Sequence, residues 1–487
     1  MPPPDRTPPA RRLTLLGFLL ATLCRVTCAD PSVPWTPTVA SRHALELLAD
    51  ESGLALPLTQ WPLPRAAVTR ALDALPRELP PALDAARERV AAELRAAEGP
   101  ALSLGVRGRG EALSGFGDEA TPGSWLGGRS GTLAAHGFAA QVGARVDEGT
   151  LPSRPQAKLR LDETAIAVEA FGAQLQAWAH RSWWGPGWQS SLLLGNNAPP
   201  FYGIGLQRAS AGRSDSPWLS WMGPWSYEFF IAGDDDSIDS YLVGNRITMR
   251  PFPLLEIGLT RMAQWGGRGR PQSFGSFWRM LVVRGTNANT PAEQAQDAAN
   301  ELAGFDLRLS CGSILPCAFY AQLTGENKTR NLPSDFLGLY GLESWSADGR
   351  HRWFAEFAAT VCGGAYGYYP VRPCAYRNFA YPDGYTHAAR WIGSAVGADS
   401  RVWTLGWLDV ERGMLLRLHY GSIGARVGVY APAGDPVHSG RIRGVAARQS
   451  WPWGRATLGA ELDWLRIDAQ QGPLQEARLG VTLRMPF

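Results

Sequence analysis

From about Ala101 onward, hydrophobic and polar positions alternate. Ala456, Leu458, Ala460, Leu462 and Trp464 interleave with Thr457, Gly459, Glu461 and Asp463. Tyr241, Val243, Ile247 and Met249 interleave with Gly244, Arg246, Thr248 and Arg250, and Ala173, Leu175, Ala177 and Ala179 with Gln174, Gln176, Trp178 and His180. A period of two places one set on each face of a sheet. A soluble sandwich alternates in the same way, so the pattern alone leaves both architectures open. The chain end adds Leu479, Val481, Leu483, Met485 and Phe487 alternating with Arg478, Gly480, Thr482 and Arg484. A terminal aromatic on such a strand resembles the recognition signal of bacterial outer-membrane barrels.

Segments of this kind begin near residues 101, 131, 154, 164, 174, 203, 224, 241, 254, 302, 317, 335, 351, 401, 414, 440, 455 and 475, which predicts eighteen strands. An even number brings both ends of the sheet to one side of a membrane, as a closed barrel without edges requires. Short links at Gly172, Pro251 to Pro253 and Glu411 to Gly413 then fall on one side, and long segments 182–202, 264–301 and 361–400 on the other. Barrels of this class keep short turns inside and long loops outside.

The residues before the strands read differently. Between 36 and about 98, Ser41 is placed to cap a helix containing Ala44, Leu45, Leu47 and Leu48. Pro64 opens a second with Ala67, Val68, Ala71, Leu72 and Leu75, and Pro81 a third that ends near Gly99. Three short amphipathic helices bury too little surface to stand alone, so they are expected to dock on the remainder. Residues 1–29 carry a targeting signal: Arg6, Arg11 and Arg12 precede the apolar run Leu13 to Leu23, and Thr27-Cys28-Ala29 suits cleavage after Ala29. The domain expectation is therefore a signal peptide at 1–29, a periplasmic helical plug at 30–99 and a β-barrel at 100–487.

Composition agrees with many turns and few solvated helices: 55 glycines, and charged residues at 19% against about 25% in ordinary soluble domains. A net charge of +3 gives no clustered basic surface for nucleic acid. Only Lys158 and Lys328 are lysines, a bias expected of a GC-rich coding sequence. The 20 tryptophans exceed both the 13 tyrosines and the 17 phenylalanines, and Trp and Tyr favour membrane interfaces and sugar faces. After the signal, Cys311, Cys317, Cys362 and Cys374 remain. The simplest pairing joins Cys311 to Cys317 and Cys362 to Cys374, though four cysteines permit three connectivities.

The stretch Arg181 to Gly205, RSWWGPGWQSSLLLGNNAPPFYGIG, is too dense in glycine and proline for helix or regular strand. It also carries a family resemblance. WWGPGW at Trp183 to Trp188, followed by GNNA at Gly195 to Ala198, resembles the hallmark of the Wzi family of outer-membrane capsule-assembly proteins. So do Pro224 to Ile231, Arg246 to Gln272, Leu302 to Asp306 and Trp391 to Arg401. The resemblance implies an all-β transmembrane barrel of about eighteen antiparallel strands with a small N-terminal helical bundle. It also implies an outer-membrane lectin that attaches capsular polysaccharide to the cell surface, without catalysis and without a cofactor.

The residues themselves support two readings at each candidate site. Trp183, Trp184 and Trp188 offer indole faces to sugars, with Arg181, Gln189, Asn196 and Asn197 as hydrogen-bonding partners; alternatively the rings are the core of a folded-in loop. Trp265, Arg268 and Arg270 in the glycine-rich stretch Gln264 to Gln272 suit acidic polysaccharide or lipopolysaccharide phosphate, or else pair with lumen carboxylates such as Glu256. Asp234, Asp235, Asp236 and Asp239 form either a calcium site or a solvated loop tip. Tyr366, Tyr368, Tyr369, Tyr376, Tyr381 and Tyr385 form either a second sugar platform or an aromatic girdle.

No G-x-S-x-G, H-E-x-x-H, C-x-x-C or Walker motif occurs, and the seven histidines lack metal-ligand spacing. The expectation is no enzyme and no metal. Expected partners are capsular polysaccharide, outer-membrane lipid and lipopolysaccharide, with capsule-export machinery as a further contact through the helical bundle. The alternative function is a porin or gated transporter, its channel lined by residues such as Glu461, Asp463, Arg478 and Arg484.

Overall fold

The structure is a computed structural model that describes residues 31–148, 158–282, 297, 299–312, 315–329, 332–362, 375–429 and 437–487. The signal segment therefore lies outside the described residues. Twenty-one strands form one antiparallel sheet. Three of its courses are each broken in two: Gly123–Arg129 runs on into Leu133–Ala135, Phe138–Gln141 into Gly143–Asp147, and Lys158–Arg160 into Thr164–Ala170. The wall thus has eighteen staves. Gly472–Pro486 pairs with Ala101–Arg107, and Phe138–Gln141 pairs with Thr164–Ala170, so each stave has a partner on both sides.

The expected number is right, but its placement between 123 and 170 is not. One strand was expected from 131 and two from 154 and 164. The chain instead makes a hairpin, 123–135 with 138–147, followed by one interrupted stave, 158–170. The turn at His136 and Gly137 is short enough for the alternation to look continuous across it, and Gly137 supplies the positive φ of 69° that the turn needs.

Alternation sorts the wall as lipid and lumen demand. Leu104, Leu126, Leu175, Ile204, Leu405, Leu418 and Leu479 are exposed on the outside, whereas Gln176, Arg246, Glu343, Arg352, Arg417 and Asp463 are buried inside. Several lumen rings lie over glycines of the neighbouring stave, Tyr320 over Gly341, Phe354 over Gly406, Phe230 over Gly244 and Trp125 over Gly105 among them, where a Cβ would strike the ring. Among the described residues no helix is long and apolar enough to cross a membrane.

Helices α1 (Val39–Glu51), α2 (Arg65–Asp73) and α3 (Pro81–Glu98) form the expected small bundle. The cap of α1 is Thr38, whose side chain accepts from the Ser41 amide; Ser41 lies inside the helix and bonds Glu93 of α3 instead. The bundle sits at the short-turn end, where Leu47 packs beside Gly349 in the turn after Trp345. Its apolar faces share one core with Trp183, Phe116 and Trp345. A fourth helix, α4 (Phe274–Leu281), lies at the long-loop end against outward-facing Val243 and Ala263. Arg261 on that outer face donates to the last carbonyls of α4 and pairs with Glu301 at 2.5 Å.

Candidate functional site

The tryptophan segment does not stand at the mouth. Residues Ser182 to Pro200 are all buried, folded down into the lumen until they meet the helical bundle. Glycine and proline give this stretch its course: a Cβ at Gly187 would strike the carbonyl oxygen of Ser190. Its backbone polar groups are satisfied by lumen side chains. Glu356 accepts from the amides of Trp188 (2.8 Å) and Gln189 (3.1 Å), and Gln322 accepts from Leu192 (2.8 Å) and donates to the Trp184 carbonyl (3.0 Å). From the bundle, Arg42 donates to the carbonyls of Pro186 (2.6 Å) and Gly187 (2.8 Å), and Thr59 accepts from Gly185 at 2.8 Å.

The three rings are packing elements. Trp183 meets Phe116 edge-on at 5.6 Å, Trp184 meets Phe230 at 5.3 Å, and Trp188 stacks on Phe354 at 5.9 Å. Trp188 also lies between two guanidiniums, Arg42 at 4.2 Å and Arg352 at 4.9 Å from the ring, while its N–H donates to Glu343 at 2.5 Å. Asn196 is buried. Asn197 pins two further loops, donating to the carbonyls of Trp391 and Gly428 and accepting from Arg390. Among the described residues Arg390 has only these neutral acceptors, and burial together with Arg478 lowers its pKa to about 9. Tyr376 and Tyr385 donate to the carbonyls of Leu192 and Leu193, both at 2.8 Å. They clamp the tryptophan segment and are not a girdle; burial raises both phenols. Tyr366, Tyr368 and Tyr369 lie outside the described residues.

The other candidates are dispersed. Trp265 faces outward beneath α4, its N–H 3.3 Å from Ser276. Arg270 donates to the Asp297 carbonyl (2.8 Å) and lies over Tyr381. Arg268 is 72% exposed and pairs with Asp239 at 3.3 Å. Around it, three outer loops are tied together: Arg268 donates its amide to Ile238, Ser237 to Asp383, and Ala388 to Asp235. The aspartate run is a hydrogen-bonded turn, with Asp236 accepting from Ser240 and Asp234 paired with His387 at 3.0 Å. Among the described residues no group of three metal-ligating side chains occurs. Cys311 and Cys317 are bonded, as expected, in a turn at the bundle end. Cys362 is disulfide-bonded as well, and Cys374 lies outside the described residues.

One element went unforeseen. The loop after Arg107, residues 108–122, also folds into the lumen and brings three carboxylates to arginines of the wall and of the tryptophan segment. Asp118 meets Arg417 (2.5 Å) and Arg448 (3.0 Å); Glu119 meets Arg145 (2.5 Å) and Arg181 (3.1 Å); Glu111 pairs with Arg426. Burial alone would raise Asp118 and Glu119, yet these guanidiniums hold both well below the usual carboxylate range. For Glu111 burial prevails over Arg426 and the carboxyl is pushed up. The available signal was three acids, Glu111, Asp118 and Glu119, in a glycine-rich link facing strands that carry arginine but almost no lysine. That arginine excess therefore has a structural use beyond coding bias, since a rigid fork suits buried carboxylate pairing.

A closed wall with an apolar exterior, into which helices pack from one end and two loops from the other, defines an outer-membrane β-barrel. The chain belongs to the Wzi capsule-assembly family: the family described as "Capsule assembly protein Wzi" matches residues 105–454. A Klebsiella pneumoniae protein described as an uncharacterized 55.8 kDa protein in the cps region is 37% identical over 182 residues. That match covers 36% of this chain and only 35% of the relative. The solved structure of Escherichia coli Wzi superimposes with a TM-score of 0.78 at 22% identity, covering 94% of this chain and 100% of that one. It is described as an outer-membrane protein involved in group 1 capsule assembly and a carbohydrate-binding β-barrel.

Proposed function

We propose that this protein is a surface lectin that holds capsular polysaccharide on the outer face of the outer membrane and performs no chemistry on it. The observation that carries the reading is the double closure of the lumen. Buried ion pairs tie the helical bundle to the inner end, and the tryptophan and acidic loops occupy the outer end. A filled barrel offers a surface and no route through. Membership of the capsule-assembly family and the carbohydrate binding of the E. coli relative support the same conclusion.

Within this reading the candidate residues divide by exposure. Trp183, Trp184, Trp188, Asn196 and Asn197 act as scaffold, because their faces are already occupied. Arg268 and the half-exposed Phe379, on the tied outer loops, are the proposed contacts: one binds carboxylates of an acidic polymer, the other stacks on a sugar face. Arg181 and Arg270 orient neighbouring loops, and Trp265 seats α4. The test is retention of purified capsular polysaccharide by the immobilised full chain. Arg268→Ala with Phe379→Ala should reduce retention by about tenfold, the loss of two exposed contacts. Failure of the unmodified chain to retain polymer would overturn the lectin reading.

A further inference from the structure

On the outward side of the wall, at its outer end, four arginines gather across the strands Arg401–Asp409, Met414–Ile423, Gly440–Trp453 and Ala456–Ala469. Register places them side by side. Arg401 lies opposite Ser422, Ser422 opposite Arg441, Arg441 opposite Asp468, and Arg443 opposite Arg466. Their outward direction follows from the alternation. Trp403, Tyr420, Leu418, Leu462 and Trp464, on the same faces and nearer the membrane centre, are all exposed apolar or aromatic residues.

The charges are poorly balanced. Among the described residues Asp468 is the one carboxylate beside them, 2.9 Å from Arg466 and 3.9 Å from Arg443. Arg401 and Arg441 are exposed, and among the described residues neither side chain makes a hydrogen bond or a close ion pair; Arg441 acts on Asp468 only at longer range. Like charges directly opposite on neighbouring strands stand about 5 Å apart at Cβ and destabilise the pair unless an anion comes between them, and Arg443 and Arg466 are such a pair.

Height on the wall identifies the anion. Arg401 and Arg466 are each two residues beyond an exposed tryptophan, Trp403 and Trp464, and the step is about 7 Å along a strand. Exposed aromatics on a barrel exterior mark the boundary between acyl chains and headgroups, so the guanidiniums stand at headgroup level.

We propose that this rim is a docking site for a phosphorylated glycolipid of the outer leaflet. Arg401, Arg441, Arg443 and Arg466 take its phosphates, and the acyl chains lie along Trp403, Tyr420 and Trp464. Guanidinium binds phosphate through paired N–H donors, which suits a doubly phosphorylated headgroup. The occupant is lipid, not capsular polymer, because the arginines face away from the loops that close the mouth and continue directly into the lipid-facing belt. The assignment needs only the barrel and its orientation, and does not depend on the lectin reading.

Native mass spectrometry of the full chain in detergent micelles, with bisphosphorylated lipid A and its dephosphorylated form as probes, tests the proposal. The unmodified protein should retain the bisphosphorylated form at least about tenfold better. Arg443→Gln with Arg466→Gln should abolish that preference, and Arg401→Gln, which removes no internal partner, should weaken it about threefold. Heat-modifiable migration on gels confirms that each variant is a folded barrel. Absence of a phosphate preference in the unmodified protein, or its persistence in the double variant, overturns the proposal. A double variant that keeps its lipid preference but loses soluble capsular polysaccharide overturns it too, and reassigns the rim to the polymer.

Discussion

Arg352 donates from Nε to Nδ1 of His43 at 2.8 Å. A guanidinium cannot accept, so Nδ1 carries a lone pair and the ring proton sits on Nε2, which meets the Gly349 carbonyl at 2.9 Å. The imidazole that joins the first helix to the wall is therefore neutral. Burial first, and Arg352 second, lower its pKa from 6.5 to about 3.

A folded-state pKa below the unfolded one gives stability that is complete above about pH 6.5 and is lost as pH falls toward about 3. Glu46, pushed up by burial and by Glu343, acts in the opposite sense, so a substitution separates the two. Urea unfolding followed by the helical signal at pH 7.5, 6.5 and 5.5 should show His43→Gln with a shallower acid-side loss than the unmodified chain. The difference is at most about 1.4 kcal/mol per pH unit for one proton. Identical pH dependences would refute the assignment of this histidine as the acid-sensitive joint.

Trp188 separates Arg42 from Arg352 and donates to Glu343, which also binds Arg352 at 2.6 Å and Arg308 at 2.8 Å. Trp188→Phe should cost about 1–3 kcal/mol, because the ring remains and the bond to a buried carboxylate is lost. Trp188→Ala should cost about 3–5 kcal/mol through the cavity it opens. Chemical unfolding in detergent measures both, and equal costs would mean that the indole N–H is the whole contribution.

The two seals predict a specific electrical behaviour. In planar bilayers the full chain should carry no steady current. Asp118→Asn loosens the acidic loop from Arg417 and Arg448, and Arg42→Gln frees the tryptophan loop from the bundle. Neither change alone should open the barrel, whereas both together should raise conductance. A channel produced by either one would show that a single barrier closes the lumen.

The Cys311–Cys317 bond closes a loop with a sequence separation of 6. Constraint of so short a loop in the unfolded chain is worth about 2 kcal/mol. Cys311→Ser with Cys317→Ser should lower the unfolding free energy by that amount without altering heat-modifiable migration, and it leaves the bond at Cys362 in place. A loss of the folded band in this variant would mean that the turn is required for assembly.

Much of this architecture was legible because lipid and lumen impose a period of two on every stave. The eighteen strands, the bundle, the sidedness of the turns and the Cys311–Cys317 pairing all follow from local pattern. The strand count survived an error near 123–170 only because a missed hairpin and a stave split in two offset each other. The site was less legible. Aromatic residues in a loop look alike whether they face water or a core. What decides between them at Trp188 is Arg42, Glu343 and Arg352, which lie far away in the sequence. The acidic loop was hidden for the same reason: Asp118 and Arg417 are 299 positions apart.

The grip of Arg42 on the carbonyls of Pro186 and Gly187 joins a segment rooted at the long-loop end of the wall to a helix at its short-turn end. Tension applied to the long loops is thereby shared across the full depth of the molecule instead of peeling away one strap. A barrel built like this resists extraction as a riveted post does, by engaging both faces of the sheet it passes through.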